Sequence, residues 1–109
     1  MRLNYFALII LVSVPFAAFP AKLKIVNGCT IKAGTSCKGM NLSGANLAGA
    51  NLTGSDFSGA NLSGARLTNA KLISANLSQA NLSRANLTGA NLTGANLKEA
   101  TLDSDINGC

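Results

Sequence analysis

The side chains able to serve as nucleophiles, proton carriers or metal ligands are few and far apart. There is no histidine, and the only carboxylates are Asp56, Glu99, Asp103 and Asp105. Without imidazole, neither a His-based general base nor a His-ligated metal can be assembled. Four scattered carboxylates are also a poor supply for an oxygen cage around a cation. The cysteines are Cys29, Cys37 and Cys109. A thiol nucleophile needs an activating neighbour, and a structural zinc site needs about four ligands, so neither chemistry suits three distant cysteines. The composition points away from an enzyme and calls for no cofactor and no metal.

One sequence pattern imitates a modification signal. Asn-Leu-Ser/Thr occurs at Asn41, Asn51, Asn61, Asn76, Asn81, Asn86 and Asn91, which matches the N-glycosylation acceptor. All seven lie inside a repeat that writes this tripeptide automatically. They are read as solvated side chains or hydrogen-bonded ladders rather than sugar sites.

An apolar run opens the chain. Phe6–Phe19 (FALIILVSVPFAAF) is uncharged and follows Arg2, and Ala18-Phe19-Pro20-Ala21 puts small residues at −3 and −1 of a cut after Ala21. Fourteen residues fall short of the ~20 that a helix needs to cross a bilayer. Residues 1–21 are therefore expected to be a secretory signal peptide, placing the product in the periplasm or outside the cell. An uncleaved N-terminal anchor is the alternative, and membrane contact is expected only then. A lipoprotein cut before Cys29 fits less well, because Lys22 and Lys24 separate that cysteine from the apolar run. Removing 21 of the 109 residues takes away Arg2 and lowers the net charge from +5 to +4.

From Met40 the chain reads in fives: MNLSG, ANLAG, ANLTG, SDFSG, ANLSG, ARLTN, AKLIS, ANLSQ, ANLSR, ANLTG, ANLTG, ANLKE, ATLDS. These are 13 consecutive units ending at Ser104, with Leu at the third position in 12 and Phe57 in the other. A period of five defeats a helix, since every fifth residue turns by about 140° and the leucines would spiral around it. It defeats a continuous strand as well, whose faces alternate with period two. Each unit must be a short segment with Ala and Leu inward, followed by a corner. Gly, Asn and Ser suit such corners.

These units resemble the pentapeptide-repeat family, whose pattern is A-(N/D)-L-x-x. The resemblance implies an all-β, right-handed quadrilateral β-helix in which four units make a 20-residue coil, about three to four coils in total. The organisation expected is a signal peptide at 1–21, an N-terminal cap at 22–39, the β-helix at 40–104 and a C-terminal tail at 105–109. Four inward columns follow: Leu42, Leu62, Leu82 and Leu102; Leu47, Leu67 and Leu87; Leu52, Leu72 and Leu92; and Cys37, Phe57, Leu77 and Leu97. Cys37 joins the last through a degenerate unit, Thr35–Gly39.

The coil also places the remaining polar residues. Cys29 and Cys37, eight apart in the cap, are the favoured disulfide; Cys29–Cys109 and Cys37–Cys109 are the alternatives, and both would have to link opposite ends of the stack. Open coil ends expose unpaired backbone, which suggests an end-to-end homodimer. Arg66 and Arg84 become neighbours with Lys71 on the adjacent face, where Asn69, Ser74, Gln79 and Arg84 replace corner glycines. This is the candidate lateral binding patch, and tolerance of outward positions to any residue is its plain alternative. Some family members imitate DNA and protect topoisomerases. This short, basic chain, expected to be exported, departs from them, and that activity is not carried over. Nucleic acid is not expected as a partner, because stacking aromatics are lacking. The expected function is a non-catalytic exported scaffold or protein-interaction module. The alternative is a surface that binds an ordered lattice, ice or polysaccharide, through outward Ser, Thr and Asn rows.

Overall fold

The computed structural model describes residues 23–103. The signal-peptide and tail assignments, with Asp105 and Cys109, lie outside the described residues. Strand β1 (Lys24–Val26) pairs antiparallel with β2 (Cys29–Ile31) in the register Lys24↔Ile31, Ile25↔Thr30, Val26↔Cys29. Asn27 and Gly28 join them with φ of 48° and 85°. Positive φ at both loop positions is the demand of a type I′ hairpin, and Asn-Gly is its preferred sequence.

Beyond the hairpin the structure is a stack of parallel bridges, each linking residues 20 apart. They run from Ser36↔Asp56 and Asn41↔Asn61 to Asn81↔Thr101. Coil geometry thus begins within Thr35–Gly39, ahead of Met40. The bridging residue is always the second of its unit, and three backbone bonds secure it. Leu42 N–H donates to Asn61 O (2.7 Å), Gly44 N–H to Ser63 O (2.8 Å), and Asn61 N–H back to Met40 O (2.9 Å). A tight turn ends the unit: Ala45 N–H donates to Leu42 O at 3.1 Å, and Gly44 between them has a φ of 68°. Positive φ at the third turn residue is the mark of a type II turn. Each pentapeptide therefore spends one residue on a bridge, two on the core, its first and third, and two on a corner.

The unit leaves four flat walls. Wall 1 holds residues 41–43, 61–63, 81–83 and 101–103; wall 2 holds 46–48, 66–68 and 86–88; wall 3 holds 51–53, 71–73 and 91–93; wall 4 holds 36–38, 56–58, 76–78 and 96–98. Between them Leu42, Leu47, Leu52, Phe57, Leu62, Leu67, Leu72, Leu77 and Leu82 are buried, as are the alanines from Ala60 to Ala80. A methyl group at the first position lets adjacent walls meet at the corner, and close packing of these side chains is the source of cohesion.

Burial fades toward the C-terminal side. Leu87, Leu92 and Leu97 are only half-buried. Leu102, expected inward, is instead 41 % exposed, because no coil covers its far side among the described residues. The opposite end is closed. Cys29 and Cys37 are both fully buried there and their sulfurs meet, with Cα atoms 5.5 Å apart, a separation that a disulfide spans.

Candidate interaction surfaces

The cap works by bonding to the first coil's exposed backbone, from hairpin side chains and from the backbone that follows the hairpin. Lys24 Nζ donates to Asn46 O, Asn27 Nδ2 donates to Asn41 O (2.8 Å), and Gly34 N–H donates to Thr53 O (2.8 Å). Wall tops that would present bare carbonyls are thereby satisfied. Ser55, almost fully buried, donates from Oγ to Lys32 O at 3.2 Å. Thr35 Oγ1 lies 3.7 Å from Cys37 Sγ. Among the described residues no buried side-chain polar atom is left without a partner.

On the walls, the second-position Asn turns back on its own unit. Its Oδ1 accepts the backbone N–H two residues on, as in Asn61–Ser63 (3.0 Å) and Asn76–Ser78 (3.0 Å). The hydroxyl of the same Ser donates to the same oxygen at 2.7 Å in both units. This is an Asx turn, built locally and repeated. The Asn-Leu-Ser/Thr pattern is therefore the signature of a corner brace, and the bonds run within units rather than between coils. Asp56 takes the Asn role on wall 4. The Ser58 hydroxyl (2.7 Å) and then the Ser58 backbone N–H (2.9 Å) donate to its Oδ1 and hold its carboxyl below the usual carboxylate range. Partial desolvation opposes them, and the charge of Lys38 adds to them.

These walls and corners are shared with known proteins. The family described as Pentapeptide repeats matches residues 33–69 and 65–103, with eight copies. The chain belongs to the pentapeptide-repeat family. Its coordinates resemble those of HetL, a pentapeptide-repeat protein involved in heterocyst differentiation regulation from the cyanobacterium Nostoc sp. strain PCC 7120. Identity is 45%, the TM-score is 0.59, and the match covers 62% of this chain and 32% of HetL. They also resemble alr5209 of Nostoc, with 35% identity, a TM-score of 0.51, and coverage of 69% of this chain and 65% of alr5209. The chain thus spans about a third of HetL and 65% of alr5209. No curated protein matches it. The fold these neighbours imply is the right-handed quadrilateral β-helix.

Within this pentapeptide-repeat protein the basic residues fall at defined sites. Arg66 bridges Asn46 and Asn86 at the middle of wall 2, and Lys71 bridges Asn51 and Asn91 at the middle of wall 3. Arg84 stands at the corner between walls 1 and 2; all three side chains are exposed. A shallow cleft beside Arg84 is lined by Ser63, Gly64, Asn81, Ser83 and Asp103, and neither Arg66 nor Lys71 reaches it. The three cations are therefore spread over two walls and a separate corner and do not converge in a pocket. Among the described residues no three of His, Cys, Asp or Glu gather as a metal site.

The non-glycine corners were recognised in the sequence as a change of residue type, without their geometry. Asn69, Ser74, Gln79 and Arg84 all hold a φ of 59–61°. Gln79 Nε2 donates to Glu99 Oε1 at 3.0 Å, one coil on. That pair follows from the 20-residue step and could have been read from it. The hairpin could also have been found, since Asn27-Gly28 between β-branched residues is a strong local signal.

Proposed function

We propose that this protein is a non-catalytic, exported scaffold that binds another protein through its lateral walls or its open coil end. Membership of a family built on non-enzymatic repeats supports the class. The observation that carries the reading is that, among the described residues, nothing covers the half-buried leucine platform of Leu87, Leu92 and Leu97, leading to exposed Leu102. Apolar surface of this kind favours a covering partner. Between three and four coils over Ser36–Thr101 belong to the same reading. So do a cleaved leader at residues 1–21 and an oxidised Cys29–Cys37 pair, since a disulfide persists in an exported protein. An end-to-end homodimer is one way to cover the platform.

Cross-linking in the exported fraction, followed by reconstitution with the purified partner, tests the scaffold. A single saturable partner is the expected result; purified components that fail to associate refute it. Sedimentation that stays monomeric at high concentration removes the homodimer.

Wall 1 favours a second reading, a surface for an ordered lattice. Asn41, Asn61 and Asn81 stack in one column and Ser43, Ser63 and Ser83 in the next through three coils, before Thr101 and Asp103 replace them. Thermal hysteresis or retention on insoluble polysaccharide is the expected readout. A Ser63→Lys variant that retains either activity would count against this wall.

A further inference from the structure

We infer that the outer face of the β1–β2 hairpin docks on the surface of an anionic lipid bilayer. The site lies at the end of the stack opposite the leucine platform, and it does not depend on the scaffold reading.

The hairpin has two unlike faces, because side chains alternate along each strand. One face holds the cross-strand pairs Lys24↔Ile31 and Val26↔Cys29. That face is seated on the stack: Cys29 is fully buried, Val26 and Ile31 pack against the core, and Lys24 Nζ donates to Asn46 O. The third pair, Ile25↔Thr30, belongs to the other face, where Ile25 is 65 % exposed. The same alternation continues to the residues that flank the strands, Leu23, 51 % exposed, and Lys32, also exposed. Leu23 lines an open groove with Ile31 and Leu47, so apolar surface runs on from the hairpin toward the first coil. The cap of a solenoid ordinarily turns a polar face to water. Here, of the large exposed aliphatics among the described residues, Leu23, Ile25 and Leu102, two stand on the cap. The inner face already closes the coil, so Ile25 and Leu23 are not needed for capping.

Charge and chain order identify what covers them. Residues 23–55 contain Lys24, Lys32 and Lys38 and no carboxylate. Asp56, the next acidic residue, lies on wall 4, where Ser58 holds it and Lys38 is near enough to lower its pKa. Lys38 is thereby partly offset, and the cationic contribution comes from Lys24 and Lys32, at the open end of the hairpin beside Leu23. Aliphatic side chains flanked by ammonium groups suit a lipid interface: the former enter the headgroup boundary and the latter meet lipid phosphates. The opposite end lacks this combination, since Arg84 and Lys98 stand with Glu99 and Asp103 around Leu102. The apolar run Phe6–Phe19 ends four residues before Leu23, so the expected route of export brings the cap end of the stack to a bilayer.

The chain has no tryptophan, so Ile25→Trp and Leu102→Trp each place a single fluorescent reporter at one end, both at exposed sites that leave the core intact. Protein from the exported fraction is titrated with vesicles of phosphatidylcholine alone or of an equal mixture with phosphatidylglycerol. Emission from the Ile25→Trp reporter should move to the blue on the anionic vesicles, and emission from the Leu102→Trp reporter should not. In co-sedimentation with the same vesicles, Lys32→Gln should weaken binding about fivefold and Ile25→Ser about tenfold. Lys98→Gln should alter it less than twofold, and added salt should weaken it. An Ile25→Trp reporter that anionic vesicles leave unmoved overturns the proposal. So does a shift that is as large on neutral vesicles and indifferent to Lys32→Gln, which would assign the contact to the leader alone. A shift that follows protein concentration without vesicles would show that a second copy covers this face, and overturns it as well.

Discussion

Gly64 and Gly89 hold the same place in their units, yet replacing each by alanine should cost different amounts. Both need positive φ, 66° and 72°. At Gly64 an added methyl meets nothing nearer than the Gly44 amide nitrogen at 4.0 Å. Only the backbone term remains, about 1–2 kcal/mol for an L-residue in the left-handed region. Reduced freedom of the unfolded chain returns about 0.4–1 kcal/mol of this, leaving a net loss of about 1 kcal/mol. At Gly89 the methyl would collide with Asn69 Oδ1 and sit 3.2 Å from its Cγ. The Asn69 side chain must swing away, which adds about 0.5–1.5 kcal/mol of rotamer strain. Gly89→Ala should therefore cost about 1.5–2.5 kcal/mol. In an Asn69→Gly background the obstacle is gone and the cost should return to that of Gly64→Ala. Urea unfolding followed by far-ultraviolet circular dichroism on the four combinations gives the coupling energy, expected at about 0.5–1.5 kcal/mol. Equal losses at Gly64 and Gly89, or an excess that persists without Asn69, refute the argument that corner side chains lie across the next coil.

Core depth should set the cost of truncation along the stack. Leu77→Ala removes a fully buried side chain and should cost about 2–5 kcal/mol, while Leu102→Ala, at a site 41 % exposed, should cost under about 1 kcal/mol; denaturant midpoints compare them. Joining Cys29 to Cys37 closes a loop of sequence separation 8, so the double alanine variant should lose about 2.5 kcal/mol, and hydrogen exchange should rise first in the β1–β2 hairpin. Asp56 titrates lower when folded than when unfolded, so its contribution is present above the unfolded pKa, near 3.9, and is lost as pH falls through the lower folded value. Asp56→Asn keeps the Asx turn and should remove that part of the acid-side decline. Ser58→Ala should raise the Asp56 midpoint toward the usual value in an NMR titration, and an unchanged midpoint would show that the hydroxyl does not set it.

The repeat itself made the short inward segments, the corners and the inward leucines legible, while the 20-residue step came from the resemblance to the pentapeptide-repeat family. Leu at the third position of each five-residue unit, with a corner directly after it, permits neither a helical stripe nor a long strand. The second-position Asn and fourth-position Ser or Thr belong to the same local logic, because an Asx turn closes within three residues and needs no distant partner. The candidate site was less legible. Arg66, Lys71 and Arg84 could be placed by counting, but counting gives neither φ nor the company a side chain keeps.

Those remaining features depend on which coil lies against which. Leu102 repeats the pattern of Leu42 and yet faces solvent, because burial comes from the neighbouring coil and not from the residue's own unit. Asn69 lies across Gly89 and Gln79 bonds Glu99, contacts set by what stands 20 residues on. Lys24 and Asn27 became cap residues only when the hairpin folded over carbonyls at Asn46 and Asn41. Local hydrogen bonding and side-chain period are properties of the chain read in order; the covering of an end and the exposure of a charge arise only from contacts between segments far apart in it.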